Sequence, residues 1–310
     1  MLKVVILGYG ELAQSLVLGV LKSRHSLVGV MRWHKNFIKD IFIPDGLLSI
    51  MKASNTKEIN AQRANSNRFI KEIKKLKPDV IIVGSWGEII KKEIIELPKV
   101  AFINCHPSLL PKHRGSNPYS SVIREGETET GVTFHLMDKK IDAGDILLQG
   151  KVPILEDDTA AILRLNCAIK AKDMVGSLLD GLEKAEIIPK KQNEQEASYY
   201  PPRSDNDFMI NWNNSADFIH RQIRSLLPGM CCFAEYKDNF LMIKSTQIIE
   251  LDKPCDVPGT VLEKINNNIL VSCGDQYKAI LLKDVGVLGF LSRLWSRNYL
   301  DMNLKIGSLL

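Results

Sequence analysis

An asparagine and a histidine lie two positions apart at the start of the segment N-C-H-P-S-L-L-P-K-H-R-G, which covers residues 104–115. Side chains two positions apart in an extended strand end project to the same side, so Asn104 and His106 would face one site. An amide can donate to a developing oxyanion while an imidazole accepts or releases a proton, a pairing suited to group transfer. By composition alone, a structural asparagine or histidine is the commoner case.

Two acids follow in a turn with the sequence K-K-I-D-A-G-D-I, residues 139–146, after a segment at 130–138 with the pattern of a strand. A carboxylate from Asp142 or Asp145 could orient His106 and stabilise its charged form. The alternative for either acid is a turn aspartate that caps its own backbone.

A glycine turn near the N-terminus offers a competing interpretation. Residues 8–13 read G-Y-G-E-L-A, which satisfies the dinucleotide-binding pattern G-x-G-x-x-A directly after the first strand. An NAD site also needs an acid at the end of the second strand, and Met31-Arg32-Trp33 has none. Arg32 could meet the 2′-phosphate of NADP instead, so an NADP-dependent oxidoreductase using Gly8, Gly10 and Arg32 stays a hypothesis. The alternative is a tight turn whose small residues serve packing.

These residues need elements to position them, and the first half of the chain alternates strand and helix signals. Apolar strand-like runs at residues 3–7, 26–31, 80–83 and 100–104 are separated by helical patterns at 11–23, 67–77 and 89–96. Such alternation predicts a Rossmann-like α/β domain with a parallel sheet covered on both faces. Ligands of open α/β sheets bind outside the carboxyl ends of the strands, which is where residues 104–115 must lie.

The second half reads differently, because a long helical pattern at 158–182 is followed by a polar, proline-containing stretch. Beyond it, a short helix near 215–225 precedes strand-like segments at 240–243, 259–262, 269–271 and 277–282, with a hairpin turn at Asn266-Asn267-Asn268. These features predict a small β-barrel-like (OB-like) domain. The expected boundaries are 1–189 for the catalytic domain, 190–205 for a linker and 206–310 for the C-terminal domain.

Composition narrows the class of protein. The 310 residues carry a net charge of +5, but residues 206–310 hold 11 Lys/Arg and 11 Asp/Glu, so the predicted C-terminal domain is neutral. The longest apolar runs are too short to cross a bilayer, and no export signal precedes the first strand. The six scattered cysteines have no C-x-x-C spacing for a metal or redox site. A cytoplasmic protein without a membrane partner is the expectation.

Three motifs together resemble the folate-dependent formyltransferase family. They are N-x-H-P-S-L-L-P-x-x-R-G from residue 104, G-E-T-E-T-G-V-T from residue 126 and D-A-G-D-I-L from residue 142. That family includes methionyl-tRNA, glycinamide ribonucleotide and nucleotide amino-sugar formyltransferases. Ile210-Asn211-Trp212, Pro228-Gly229 and Pro258-Gly259-Thr260-Val261 resemble the C-terminal domain of the methionyl-tRNA and amino-sugar enzymes.

The resemblance implies transfer of a formyl group from 10-formyltetrahydrofolate, as co-substrate, to a primary amine, with no metal. It assigns catalysis to Asn104, His106 and Asp142, and we expect a protonated His106 to share in stabilising the oxyanion. The implied folate-binding residues lie in three loops: Ser85, Trp86, Gly87, Ser108, Leu109, Leu110, Pro111, Asp138 and Ile141.

The acceptor is left open between a small amine and a tRNA. The segment R-G-S-N-P-Y at residues 114–119 is similar to the amino-sugar enzymes, and residues 33–42 lack the basic, glycine-containing loop typical of the tRNA enzymes. A neutral C-terminal domain also fits a tRNA clamp poorly. We therefore favour a nucleotide-linked amino sugar over methionyl-tRNA. Acceptor-free hydrolysis of formyl-folate and a non-catalytic binding module are further alternatives.

Overall fold

The protein is described by a computed structural model that covers residues 1–33, 45–237, 239–255, 257–265, 268–288 and 304–310. Asn266 and Asn267 of the predicted hairpin turn lie outside the described residues, as do residues 34–42 of the loop used to weigh tRNA binding. No helix in the described part of the chain is long and apolar enough to span a membrane.

Helices and strands alternate through the first half of the described chain, and strands dominate the second. The α-helices are α1 (Gly10–Lys22), α2 (Gly46–Ala53), α3 (Asn67–Leu76), α4 (Lys92–Ile95), α5 (Pro118–Arg124), α6 (Ala160–Glu183) and α7 (Ala216–Leu226). The strands are β1 (Lys3–Gly8), β2 (Ser26–Arg32), β3 (Val80–Gly84), β4 (Ala101–His106), β5 (Arg114–Gly115), β6 (Glu129–Leu136), β7 (Ile146–Pro153), β8 (Tyr199–Tyr200), β9 (Cys232–Tyr236), β10 (Asn239–Glu250), β11 (Val261–Ile265), β12 (Asn268–Ser272) and β13 (Lys278–Val287).

The chain groups into two compact units. The first comprises Met1–Pro118, Glu129–Pro153 and Leu163–Tyr200, and the second comprises Tyr119–Thr128, Ile154–Ile162 and Pro201–Leu310. Residues 190–200, which composition assigned to a linker, thus pack as part of the first unit. The functional boundaries 1–189, 190–205 and 206–310 stay a prediction.

A six-stranded sheet with the order β2-β1-β3-β4-β6-β7 forms the centre of the first unit. β2, β1, β3 and β4 are parallel, whereas β6 and β7 run antiparallel to their neighbours. Residues 4–7 of β1 are fully buried, as expected for a strand covered on both faces. The predicted Rossmann-like α/β class is confirmed, and two antiparallel strands extend the parallel sheet beyond β4.

The turn after β1 is shaped by a close approach between two strands. A Cβ at Gly8 would lie 2.1 Å from the carbonyl oxygen of Gly84, its register partner on β3. Only glycine fits such a contact. This position of the G-x-G-x-x-A pattern is therefore explained by packing.

Local sequence explains where the helices begin and end. Ser66 caps α3 by accepting from the N–H of Phe69 at 3.2 Å, and Lys77 ends the helix with a left-handed backbone (φ 48°). The predicted helix at 89–96 is shorter than expected, because α4 covers only Lys92–Ile95. Asn65, in the loop before α3, donates to the carbonyl of Ile89 and accepts from the N–H of Lys91. The backbone of residues 89–91 is therefore bonded to that loop.

The second unit contains a five-stranded antiparallel sheet with the order β11-β12-β13-β10-β9. Ser215 caps α7, and the buried face of this helix, including Ile219 and Ile223, joins one core cluster with strand residues such as Leu241. Isolated bridges from Met209 to β9 and from Leu309 to Thr260, beside β11, extend the pairing at the two edges. The prediction of a small β-rich C-terminal domain is confirmed.

Candidate active site

The carboxyl end of β4 carries Asn104 and His106, and the neighbouring strand β6 sets polar residues directly opposite them. Asn104 pairs in register with His135, and His106 pairs with Thr133. His106 is 4% exposed and His135 is 2% exposed, so both imidazoles are removed from bulk water. The predicted pair on one side of a strand end is confirmed, and a second histidine joins it.

The loop between β6 and β7 brings Asp142 to this pair. Its Oδ1 accepts a hydrogen bond of 3.0 Å from Asn104 Nδ2, and its Oδ2 accepts one of 2.9 Å from the backbone N–H of Gly115. Oδ2 also lies 3.5 Å from His106 Nδ1. Asp142 itself has a left-handed backbone (φ 53°). Asp142 therefore contacts both Asn104 and His106, which joins the three residues assigned to catalysis by resemblance.

Burial and charge determine how Asp142 titrates. Removal of the carboxyl from water raises its pKa, but the imidazoles of His106 and His135 and the Gly115 N–H more than offset this. The net result is a pKa well below the ordinary aspartate value. Asp142 is therefore an anion throughout the physiological range.

His106 shows the opposite balance. Burial lowers the pKa of its imidazole, and this outweighs the opposing effects of Asp142 and of the His113 carbonyl, so the pKa lies below its usual value. Nε2 lies 2.9 Å from the carbonyl oxygen of His113, which makes it the protonated nitrogen in the neutral form. This favours a neutral His106 in the free protein, and the protonated form expected beside the oxyanion stays a prediction. Nδ1 is left facing Asp142 and ready to take a proton.

Asn104 has both amide hydrogens directed at partners within the site. One goes to Asp142 Oδ1, and the other faces His135 Nε2 at 3.2 Å. His135 Nδ1 lies 2.9 Å from the carbonyl oxygen of Leu136, which leaves Nε2 as the acceptor. A donation from Asn104 to a developing oxyanion would therefore require exchange of one of these bonds.

Sequence reasoning missed His135, although it did predict a strand there. The pairing of β6 with β4 joins segments that are not consecutive strands of the β-α-β pattern, so spacing gave no sign of it. A usable signal was present in the side chains. Thr133 and His135 are polar and alternate along the strand with Val132 and Phe134, which are apolar and fully buried.

The loop with the sequence S-L-L-P, residues 108–111, is held by hydrogen bonds to Thr133 of β6 and to the following backbone. The hydroxyl of Thr133 donates to the Ser108 carbonyl at 2.6 Å and accepts from the N–H of Leu110 at 3.2 Å. The Ser108 hydroxyl donates to the Lys112 carbonyl. Ser108 and Leu110 are buried, while Leu109 and Pro111 are partly exposed. The side chains of Ser108 and Leu110 therefore shape the loop from within.

The other predicted folate-binding residues lie on the loops after β3 and β6. Trp86 and Met137 contribute to the same apolar cluster, which links these two loops. The indole N–H of Trp86 is buried and has no hydrogen-bond partner among the described residues. Ile141 is 49% exposed. The accessible surface of these loops is thus apolar, which suits a flat heteroaromatic ring system, whereas the Trp86 N–H is not accessible to a ligand in this conformation.

The remaining predicted residues of these loops have local roles in the structure. Ser85 has a left-handed backbone (φ 65°), and Gly87 packs close to the Trp33 ring. Asp138 accepts a hydrogen bond of 2.6 Å from the N–H of Lys139, so its carboxylate caps its own turn. Folate contacts by these three residues, as by the other six predicted above, stay a prediction.

Arg32, the residue that kept the NADP hypothesis open, is buried and paired. Its Nε donates to Glu58 at 3.0 Å and its Nη1 donates to Asp45 at 2.9 Å. A 2′-phosphate would have to displace two carboxylates from this guanidinium. The dinucleotide interpretation therefore loses the residue on which it depended.

One cluster in the described part of the chain has the donor types of a metal site. It consists of His25, Asp180 and Glu183. Arg24 contacts both carboxylates, and the N-terminal amine of Met1 contacts Glu183. Cations of the protein thus already neutralise the acids that a metal would need.

Comparison with known proteins identifies two matching families. The formyl transferase family matches residues 3–176, and the formyl transferase C-terminal domain matches residues 203–286. A methionyl-tRNA formyltransferase of Caldanaerobacter subterraneus subsp. tengcongensis is 38% identical over 219 residues, which cover 70% of this chain and 70% of the relative.

Two solved structures share the fold. The N-formyltransferase from Helicobacter canadensis, in complex with folinic acid and dTDP-3-aminofucose, has a TM-score of 0.72 at 24% identity and covers 92% of this chain and 100% of that one. A methionyl-tRNA formyltransferase from Clostridium thermocellum has a TM-score of 0.57 at 17% identity, covering 93% of this chain and 99% of that one.

Proposed function

The chain belongs to the formyl transferase family, and we propose that it transfers a formyl group from 10-formyltetrahydrofolate to the primary amine of a nucleotide-linked amino sugar. The observation that carries formyl transfer is the contact group of Asn104, His106 and Asp142 at the end of β4. Trp86 and Ile141 flank this end of the sheet and suit the ring system of the folate.

The residues divide the proton transfers among them. The folate supplies the formyl carbon, and the acceptor nitrogen must lose a proton as its bond to that carbon forms. We assign this proton to Nδ1 of His106, where the anionic Asp142 stabilises the imidazolium. As the bond from the formyl carbon to the folate nitrogen breaks, the same proton passes to that nitrogen, so the protein ends unchanged. Asn104 donates to the charge that develops on the formyl oxygen.

The acceptor proposal is supported by the comparison of folds. The amino-sugar-bound enzyme from Helicobacter canadensis has the higher TM-score of the two solved structures, 0.72 against 0.57 for the methionyl-tRNA enzyme. The matched region includes the whole of that chain. An acceptor of the same chemical class, a sugar amine carried on a nucleoside diphosphate, is the simplest consequence.

Charge pairing within the second unit supports the same choice. Arg124 is paired with Asp207, Arg221 donates to the Arg124 carbonyl at 3.1 Å, and Arg224 donates to the Asp158 carbonyl at 2.5 Å. These guanidinium groups bond within their own unit. A surface built for a long polyanion would present such cations to solvent.

Methionyl-tRNA is the second candidate acceptor, and one observation favours it. The relative from Caldanaerobacter subterraneus is 38% identical and is a methionyl-tRNA formyltransferase. A tRNA can be held by a few well-placed cations, which a neutral total does not reveal. The two acceptors call for the same chemistry at His106, so only a direct comparison separates them.

The test measures tetrahydrofolate release by the purified protein supplied with 10-formyltetrahydrofolate. The acceptors are nucleotide-linked amino sugars, the same sugars with a hydroxyl in place of the amine, and charged methionyl initiator tRNA. We expect turnover only with an amino sugar, and a loss of at least about 100-fold in His106→Ala because proton transfer is removed.

Each other outcome has a defined meaning. Turnover with the tRNA alone would overturn the acceptor and leave the chemistry intact. Release without any acceptor, abolished in His106→Ala, would indicate a hydrolase. Turnover that persists in His106→Ala would overturn the assigned role of His106.

A further inference from the structure

Residues 190–200, here named the strap, have the composition of a linker. They run along the loop between β6 and β7 that carries Asp142, which we name the catalytic loop. We propose that Gln192 of the strap is a positioning residue, which holds Asp142 against His106 through the backbone of the catalytic loop. The kinetic consequence rests on the formyl transfer proposed above, whereas the geometric consequence does not.

Gln192 binds the backbone of the catalytic loop at Asp142. Its amide Nε2 donates to the carbonyl of Asp142 at 2.8 Å and to the carbonyl of Gly144 at 2.7 Å. Both amide hydrogens are thus used on two carbonyls of the same turn. Asp142 has a left-handed backbone, which an isolated aspartate adopts at a cost. Two hydrogen bonds at this point select the conformation that directs the carboxylate to His106.

Gln192 is itself held in place by Arg114. The guanidinium donates to Gln192 Oε1 through Nε at 3.1 Å and through Nη2 at 2.8 Å. It also binds both carboxylate oxygens of Glu194, at 3.0 and 2.8 Å. Arg114 is 7% exposed, so the guanidinium is buried, while Glu194 closes the network at the surface. The amide of Gln192 therefore has one orientation, with its oxygen on Arg114 and its nitrogen on the loop.

The rest of the strap fixes the other partners of the catalytic pair. β8 of the strap pairs in parallel with β5, and the backbone N–H of His113 donates to Ser198 Oγ at 2.9 Å. His113 supplies the carbonyl that faces His106 Nε2, and Gly115 supplies the N–H that donates to Asp142. The strap thus holds the backbone on both sides of the contact between His106 and Asp142, and Gln192 is its direct bond to the loop.

The variant Gln192→Met tests this role, since methionine keeps the length and neutrality of the side chain and removes both donors. Gln195→Met is the matched control, because Gln195 is exposed on the same segment. We expect kcat to fall by about 10- to 100-fold in Gln192→Met, as small displacements of a catalytic group do. KM for the formyl-folate should change by less than about twofold, and the control should match the unaltered protein.

A second readout needs no acceptor and no turnover. The titration of the His106 imidazole is followed by NMR, with its signals assigned by their absence in His106→Gln. Among the described residues, the titratable groups that face His106 are Asp142 from its loop and His135 from β6. Asp142 raises the pKa of His106, so a carboxylate that moves away lets that pKa fall. We expect a lower His106 pKa in Gln192→Met and no change in Gln195→Met.

These outcomes distinguish a failure of the proposed function from a failure of the positioning role. If no acceptor supports turnover but the His106 pKa falls in Gln192→Met, the proposed function fails and the positioning role stands. An unchanged pKa together with an unchanged kcat would overturn the positioning role. If Gln192→Met does not fold, Gln192→Asn, which keeps the amide but withdraws it by one methylene, is read in the same two ways.

Discussion

At the scale of single residues, the site depends on a fixed anion beside a neutral imidazole. Asp142 is anionic across the physiological range, and His106 is driven toward its neutral form by burial. An imidazole must be neutral to accept a proton, and the imidazolium must be stabilised once formed. The buried contact of 3.5 Å between Nδ1 and Oδ2 meets both needs, because the carboxylate opposes part of the effect of burial.

This balance predicts the pH dependence of Asp142→Asn. In the unaltered protein, kcat/KM should rise with pH through a pKa below 6.5, the ordinary histidine value from which that of His106 is lowered. Asparagine removes the anion that raises the pKa of His106, so the rise should move to still lower pH, toward a plateau lower by about 10²- to 10⁴-fold.

The measurement is kcat/KM from pH 4.5 to pH 8, expressed as the ratio of variant to unaltered protein. The ratio cancels the titration of the acceptor amine, which is common to both. If the rise of kcat/KM in Asp142→Asn stays at the same pH or moves to higher pH, the contact assigned between Asp142 and His106 is contradicted.

At the scale of elements, β5 and β8 meet at a point where only glycine fits. Gly115 has φ 110°, and a Cβ there would lie 2.1 Å from the carbonyl oxygen of Tyr200. The same residue donates its N–H to Asp142 Oδ2. A short parallel pairing of two residues thus connects the strap to the carboxylate of Asp142.

Gly115→Ala should therefore impair both the stability and the activity of the protein. The side chain adds backbone strain of about 1–2 kcal/mol for a left-handed conformation, and the contact with Tyr200 adds to it. Gly307→Ala is the control, because Gly307 has φ 84° and nothing lies within 4 Å of the added Cβ. Denaturant unfolding and kcat are measured for both.

We expect Gly115→Ala to lose more stability than Gly307→Ala, and we expect only Gly115→Ala to lose kcat. The comparison separates strain from steric contact, since both glycines have positive φ. Equal losses in the two variants would show that β5 and β8 do not depend on their close approach.

Elements also show how far sequence reasoning reaches. The strand ending in Asn104 and His106 follows from its apolar run and from its place after a helix, and both are local properties. The contact of Asn104 with His135 depends on β6 pairing with β4, which a local pattern does not encode. The helix predicted at 89–96 is shortened for the same reason, because Asn65, 24 residues away, donates to the Ile89 carbonyl that a helix starting there would use.

The strap is the clearest case of a residue role hidden by composition. Lys190 to Ala197 is polar and carries a linker's residue types. Gln192 nevertheless contacts Asp142 across 50 positions and Arg114 across 78. A polar side chain that satisfies buried carbonyls looks the same in sequence as one that faces water. Resemblance identified Asn104, His106 and Asp142, but only the folded contacts identify what holds them.

At the scale of the whole molecule, charge distinguishes the two acceptors. The net charge is +5 over 310 residues, and residues 206–310 contribute equal numbers of cations and anions. Binding of a tRNA through six to ten phosphates would release as many counterions, and affinity would fall by about 10³- to 10⁵-fold between 50 and 200 mM salt. A nucleoside diphosphate sugar presents only two phosphates, and the same relation then gives a loss of about tenfold.

We therefore expect kcat/KM for the sugar acceptor to fall by no more than about tenfold between 50 and 200 mM potassium chloride. The matched measurement is kcat/KM for 10-formyltetrahydrofolate over the same range, because it reports any effect of salt on the common folate site. A loss for the acceptor of 10³-fold or more, with the folate value unchanged, would mean that many phosphates are neutralised on binding. That result would assign the acceptor to the polyanions and would favour methionyl-tRNA over an amino sugar.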